Sequence, residues 1–127
     1  MNELTSEWVV KAEEDFDSAH TLLHSVENPL ANAASFHCQQ CAEKYLKAFL
    51  QEHRVRFERT HNLAALLDLC LKLDPDFENL REDLASLEGY AVAIRYPGMG
   101  VPAELAEKAF KETERARGFV RRKLGIG

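Results

Sequence analysis

Cysteine, proline and glycine are scarce: three, four and six in a chain of 127 residues. So few turn-formers argue against a β-sandwich, which needs turn signals roughly every 8–12 residues. Three thiols are an odd set for a disulfide framework. Cys38, Cys41 and Cys70 all fall inside apolar helical patterns, as reduced cysteines in a core do. Long hydrophobic runs are missing as well. The longest, Leu63–Leu67 and Tyr90–Ile94, have five residues each, against the ~20 of a membrane helix. Met1-Asn2-Glu3-Leu4 has no basic stretch leading into an apolar one, so no secretory signal is readable and the cytoplasm is the expected location. Positive charge is in deficit too. Lys plus Arg is 16 and Asp plus Glu is 21, a formal net charge of −5. That excludes the global positive field of a general nucleic-acid binder but leaves room for a local basic patch.

What the chain has in quantity is helical periodicity. Its 46% apolar and 29% charged residues are those of a globular domain, and its length suits one domain over 1–127 with a single core. Trp8, Ala12, Phe16, Ala19, Leu23 and Val26 recur at steps of three and four. Thr5 or Ser6 is the expected cap of this first helix, and Asn28-Pro29 its stop. A second helix is predicted from about Leu30 to His53, and Arg54–Thr60 reads as a charged loop. A third, shorter helix carries Leu63, Leu66, Leu67, Cys70 and Leu73. Asp74-Pro75 starts a fourth, with Asp as cap and Pro at the first helical position. Tyr96-Pro97-Gly98-Met99-Gly100-Val101-Pro102 breaks the pattern before a last helix to Leu124. No β-alternating segment of useful length appears. The pattern predicts an all-α bundle of four longer helices plus a short one.

The densest polar signal lies on the second helix. His37, Gln40, Lys44, Lys47 and Gln51 step by three and four and so share one ridge. Such a ridge suits phosphates or a carboxylate-rich partner, and it also suits plain solvent. Arg95 stands beside Tyr96 just before Pro97-Gly98, and a guanidinium next to an aromatic ring fits phosphate or base contacts as well as it fits a helix end. Cys38-x2-Cys41 has no second ligand pair at a zinc spacing and no strand before it, which leaves it as core packing. His20 and His24 lack the glutamate of H-E-x-x-H and read as wet surface. His61, at the start of the third helix, reads as a structural or capping residue. Arg115, Arg117, Arg121, Arg122 and Lys123 complement the negative end of the last helix. No metal or cofactor is expected.

The block Phe36-His37-Cys38-Gln39-Gln40-Cys41-Ala42-Glu43-Lys44-Tyr45-Leu46-Lys47-Ala48-Phe49 resembles the signature helix of HEPN-domain proteins, which commonly reads F-x-x-Q-Q-A-x-E-K-x-x-K-A. Thr60-His61-Asn62-Leu63 is similar to that family's T-H-D-L helix start, and Ala93-Ile94-Arg95-Tyr96-Pro97 to its R-Y-P segment. Trp8 and Ala12 sit where its first helix has W and A. The resemblance implies a four-helix up-and-down bundle with an additional short helix, usually a homodimer. It also implies association with a minimal nucleotidyltransferase in toxin–antitoxin-like pairs. Many members are metal-independent endoribonucleases whose R-x4-6-H motif supplies Arg to the scissile phosphate and His as acid or base.

Here the positions allowed for that His after Arg95 hold Gly100, Val101 and Pro102, none of which transfers a proton. Arg56 and His61 satisfy R-x4-H by count, but they straddle a loop before the third helix. Loss of a positioned acid/base typically removes ~10²–10⁴ in rate. The expectation is therefore a non-catalytic, dimeric, nucleotide- or phosphate-binding module that partners a minimal nucleotidyltransferase. Arg95, Tyr96, His37, Gln40, Lys44 and Lys47 are its candidate ligand-binding residues. The alternatives are an RNA-cutting toxin whose proton transfer comes from His37 or His61, and a dimeric scaffold with no ligand.

Overall fold

The computed structural model describes residues 1–93 and 96–127; Arg95, the arginine before the Pro97-Gly98 break, lies outside the described residues. Among the described residues there are five α-helices: α1 Glu3–His24, α2 Ala31–Glu52, α3 Leu63–Leu73, α4 Arg81–Ala93 and α5 Ala103–Lys123. No strand occurs among the described residues.

The cap of α1 differs from the expectation. Asn2, not Thr5 or Ser6, accepts the N–H of Thr5 at 2.8 Å. Thr5 is fully buried, and its hydroxyl donates to the same Asn2 oxygen. Packing against the core has taken Thr5 out of the capping position. The Asn2 amide also donates to the Gln51 carbonyl at 3.2 Å, and its N–H donates to Glu52. These bonds tie the start of α1 to the end of α2 and make the two helices antiparallel.

Helix α2 is the centre of the fold and packs against α1, α3, α4 and α5. From Cys38 to Leu50 nearly every side chain is buried, which is the pattern of a helix enclosed on most sides. The three thiols are all fully buried, as expected. The end of α2 turns through Arg54, whose φ of 56° is the left-handed value normally left to glycine. There Arg54 N–H donates to Gln51 and Val55 N–H to Leu50.

Asp74 caps the segment after α3, as its place before Pro75 predicts, accepting the Asp76 N–H at 2.9 Å. The continuous fourth helix expected from Pro75 is instead a 3₁₀ turn, Pro75–Leu80, leading into α4. Three residues per turn bring Phe77 and Leu80 to the same side, and both are buried. Phe77 packs between Phe49 and Phe119, with ring centres 4.4 and 5.0 Å away.

Cross-helix bonds set the remaining directions. Asn32, Cys38 and Tyr45 on α2 meet Val101, Thr113 and Arg121 in that order, so α5 runs parallel to α2. Glu13 and His24 meet Arg117 and Glu107, so α5 is antiparallel to α1.

Candidate functional site

The polar ridge of α2 does not stay together on one solvated face. Asp15 of α1, with its side chain only 10% exposed, takes both His37 and Lys44: His37 Nδ1 lies 2.8 Å from Oδ1 and Lys44 Nζ 2.5 Å from Oδ2. Lys47 is buried and donates to Glu43 at 2.9 Å. Its ammonium sits 5.5 Å from the centre of the Trp8 ring and 5.9 Å from that of Phe57. The physical reason is the acidic residues standing on inward positions. Asp15 lies three residues from Ala12 and four from Ala19, so it faces α2 with them. Lys44 and Lys47 are thus engaged within the bundle, while Gln40 lines a cavity.

That cavity is a cleft of about 500 Å³ lined by Asn32, Phe36, Gln39, Gln40, His61 and small alanines of α2 and α4. Its size lies within the usual range of small-molecule sites. Phe36 is nearly half exposed. The described lining holds no lysine or arginine and offers an aromatic face, amides and the His61 ring. Tyr96 is exposed, in a turn where its carbonyl accepts the Met99 N–H.

For His61, expected to be structural or capping, the structure bears out the structural role and places the cap elsewhere. The cap of α3 is Asn62, which accepts the Ala65 N–H at 3.0 Å. The His61 ring instead points its Nδ1 at the Glu43 carboxylate, 2.9 and 3.1 Å from the two oxygens. Its carbonyl accepts from the Gln39 amide at 3.2 Å. Glu43 and Gln39 are both buried on α2, yet the imidazole they hold is 70% exposed. A glutamate four residues before a buried lysine, on the inward side of a helix, was the available signal.

The basic end of α5 is mostly occupied. Arg115 pairs with Asp83, Arg117 with Glu13, and Lys123 with Asp74 and Asp76. Bonding to Arg117 holds the Glu13 carboxyl below its usual range. Burial pushes the Cys38 thiol up to about 11 and that of Cys70 up to about 12, and raises Cys41 well above the ordinary value. None of the three is a nucleophile near neutral pH. His20 and His24 are exposed on α1 around Phe110, and His24 meets Glu107 at 2.6 Å. No group of three or more metal-ligating side chains is assembled among the described residues. No described helix is long and apolar enough to cross a membrane.

The protein-family model described as HEPN domain matches residues 5–123. No curated protein and no solved structure matches the chain.

Proposed function

The chain belongs to the HEPN-domain family, and from that premise we propose that it is a nucleotide-binding helical module rather than a ribonuclease of the family's Arg–His type. The single observation that carries this reading is the cleft beside α2. It is the size of a small ligand and pairs an exposed phenyl ring with two glutamine amides, the groups that stack on and hydrogen-bond to a nucleobase. In this reading the base enters the cleft against Phe36 and Gln40, while Arg95 and Tyr96 meet the phosphate. His37, Lys44 and Lys47 support the site by fixing α2 against α1. The missing imidazole after Arg95 supports a non-catalytic role.

The module acts as a homodimer, in an up-and-down four-helix arrangement, beside a minimal nucleotidyltransferase. Family membership supports the partner. The exposed Leu30, Met99 and Leu105 support an apolar interface. Isothermal titration with ATP and a short RNA, alongside light scattering, tests the reading. Nucleotide binding that weakens at least tenfold in Arg95→Ala, by a dimer, is the expected result. A monomer that binds neither ligand refutes it.

A second reading draws on the carboxylate-held His61. In an RNA-cutting toxin that imidazole would take the ribose hydroxyl proton. Cleavage of RNA in the presence of a chelator, abolished in His61→Ala, would establish this reading over the first.

A further inference from the structure

His61 is held in a way that fixes what its second ring nitrogen can recognise. A carboxylate only accepts hydrogen bonds, so with both Glu43 oxygens within 3.1 Å of Nδ1 the ring proton belongs on Nδ1. In the neutral imidazole Nε2 is then a bare acceptor. This orientation rests on a buried ion pair. The Glu43 and Lys47 side chains are 2% and 8% exposed, and an apolar pair in such a place is often no less stable. What the ion pair adds is a fixed direction for an exposed ring, which Gln39 anchors a second time through the backbone carbonyl.

The neighbouring amide is ordered by the same chain of bonds. Gln39 donates to the His61 carbonyl, so its own oxygen accepts from Gln40 Nε2 at 2.9 Å. Among the described residues Gln40 is left with its oxygen and one N–H, a paired acceptor and donor. The cleft therefore presents the His61 acceptor, the Gln40 acceptor and donor, and the Phe36 ring, with no cation among its described lining residues.

We propose that this cleft selects a nucleobase carrying an exocyclic amine, which donates to His61 Nε2 while Gln40 reads the adjoining ring edge. The proposal rests on the nucleotide-binding reading and names its ligand class. Adenine and cytosine present an amine beside a ring-nitrogen acceptor, the pattern that glutamine reads in two bonds. Hypoxanthine and uracil put a carbonyl oxygen where the amine would be. That oxygen meets the lone pair on Nε2, and a polar group is left unpaired on each side.

The test uses the full chain at pH 8 and compares adenosine 5′-monophosphate with inosine 5′-monophosphate, which share ribose and phosphate and differ at the amine. Isothermal titration gives both affinities, and nitrogen-15 spectra of the histidine rings follow His61 Nε2. The expected result is at least tenfold tighter binding of the adenosine nucleotide, with a shift of the Nε2 resonance. In His61→Ala, an exposed position whose helix content is checked by circular dichroism, the preference should fall to about twofold or less. Equal affinities, a preference for the inosine nucleotide, or a preference that survives in His61→Ala would overturn the selectivity and leave nucleotide binding standing. Failure of both nucleotides to bind would overturn both proposals.

Discussion

Replacing Glu13 by glutamine probes the place where α1, α2 and α5 meet. The Glu13 carboxylate accepts two bonds from Arg117 at 2.6 and 2.7 Å and one from the Tyr45 hydroxyl at 2.5 Å. Tyr45 is fully buried, and Arg117 also lies over Phe16, 4.4 Å from the ring centre. Hydrogen bonds to a charged group are worth about 1.5–3 kcal/mol each. The Glu13 and Arg117 side chains are each 29% exposed, so water replaces much of the ion pair. The buried hydroxyl keeps Arg121, 3.1 Å away. A net loss of about 2 kcal/mol is expected, and with a urea dependence of ~2 kcal/mol per molar the midpoint falls by about 1 M.

The loss also depends on pH in a defined direction. The folded pKa of Glu13 is depressed below the usual 4.5, first by Arg117 and then, against opposing burial, by Tyr45. Between the two values the unfolded chain binds more protons. The stabilisation is therefore complete above about pH 5 and disappears as pH falls through the folded value. Urea unfolding of wild type and Glu13→Gln at pH 7 and pH 3, followed by circular dichroism, should show a gap that narrows in acid. A gap under about 0.5 kcal/mol at pH 7, or one of equal size at both pH values, would refute the reasoning.

Three further outcomes are expected. Arg54→Gly should stabilise the protein by about 0.5–1 kcal/mol, seen as a higher melting temperature, because it removes left-handed strain at φ 56° that outweighs the added chain entropy. Ser35→Ala should be neutral or stabilising by up to about 1 kcal/mol in the same melts, since the buried Ser35 hydroxyl has no hydrogen-bond partner among the described residues. A thiol-specific chromogenic disulfide at pH 8 should label none of Cys38, Cys41 and Cys70 in the native protein and all three in denaturant. Rapid labelling of the native chain would mean that these sites open far more easily than their packing implies.

Helix positions were legible in the sequence because burial of one apolar stripe is dictated directly by spacing. Ends and partners were harder. Thr5 has a capping residue's chemistry, but its place on the inner face of α1 removed it from that role. Pro75 announced a helix start correctly, whereas the 3₁₀ winding that brings Phe77 onto Phe49 depends on a distant aromatic. The ridge of α2 illustrates the same limit. Spacing put His37, Gln40, Lys44 and Lys47 on one side of a helix, but which neighbour covers that side is tertiary information. Asp15, Glu43 and Trp8 turned most of it into internal pairs. The anchor of His61 was hidden for the same reason, since it lies eighteen residues away on α2.

Trp8 is the chain's one tryptophan. It lies against the Lys47 ammonium, with Phe57 edge-on at 6.1 Å. The emission colour of an indole shifts with the electric field across its ring, and here a nearby charge contributes to that field. Lys47 in turn grips Glu43, and Glu43 grips His61. Ultraviolet-excited fluorescence of the unlabelled molecule thus serves as a built-in optical gauge of that relay, and any occupant that tugs on the imidazole should change the glow of a residue it never touches.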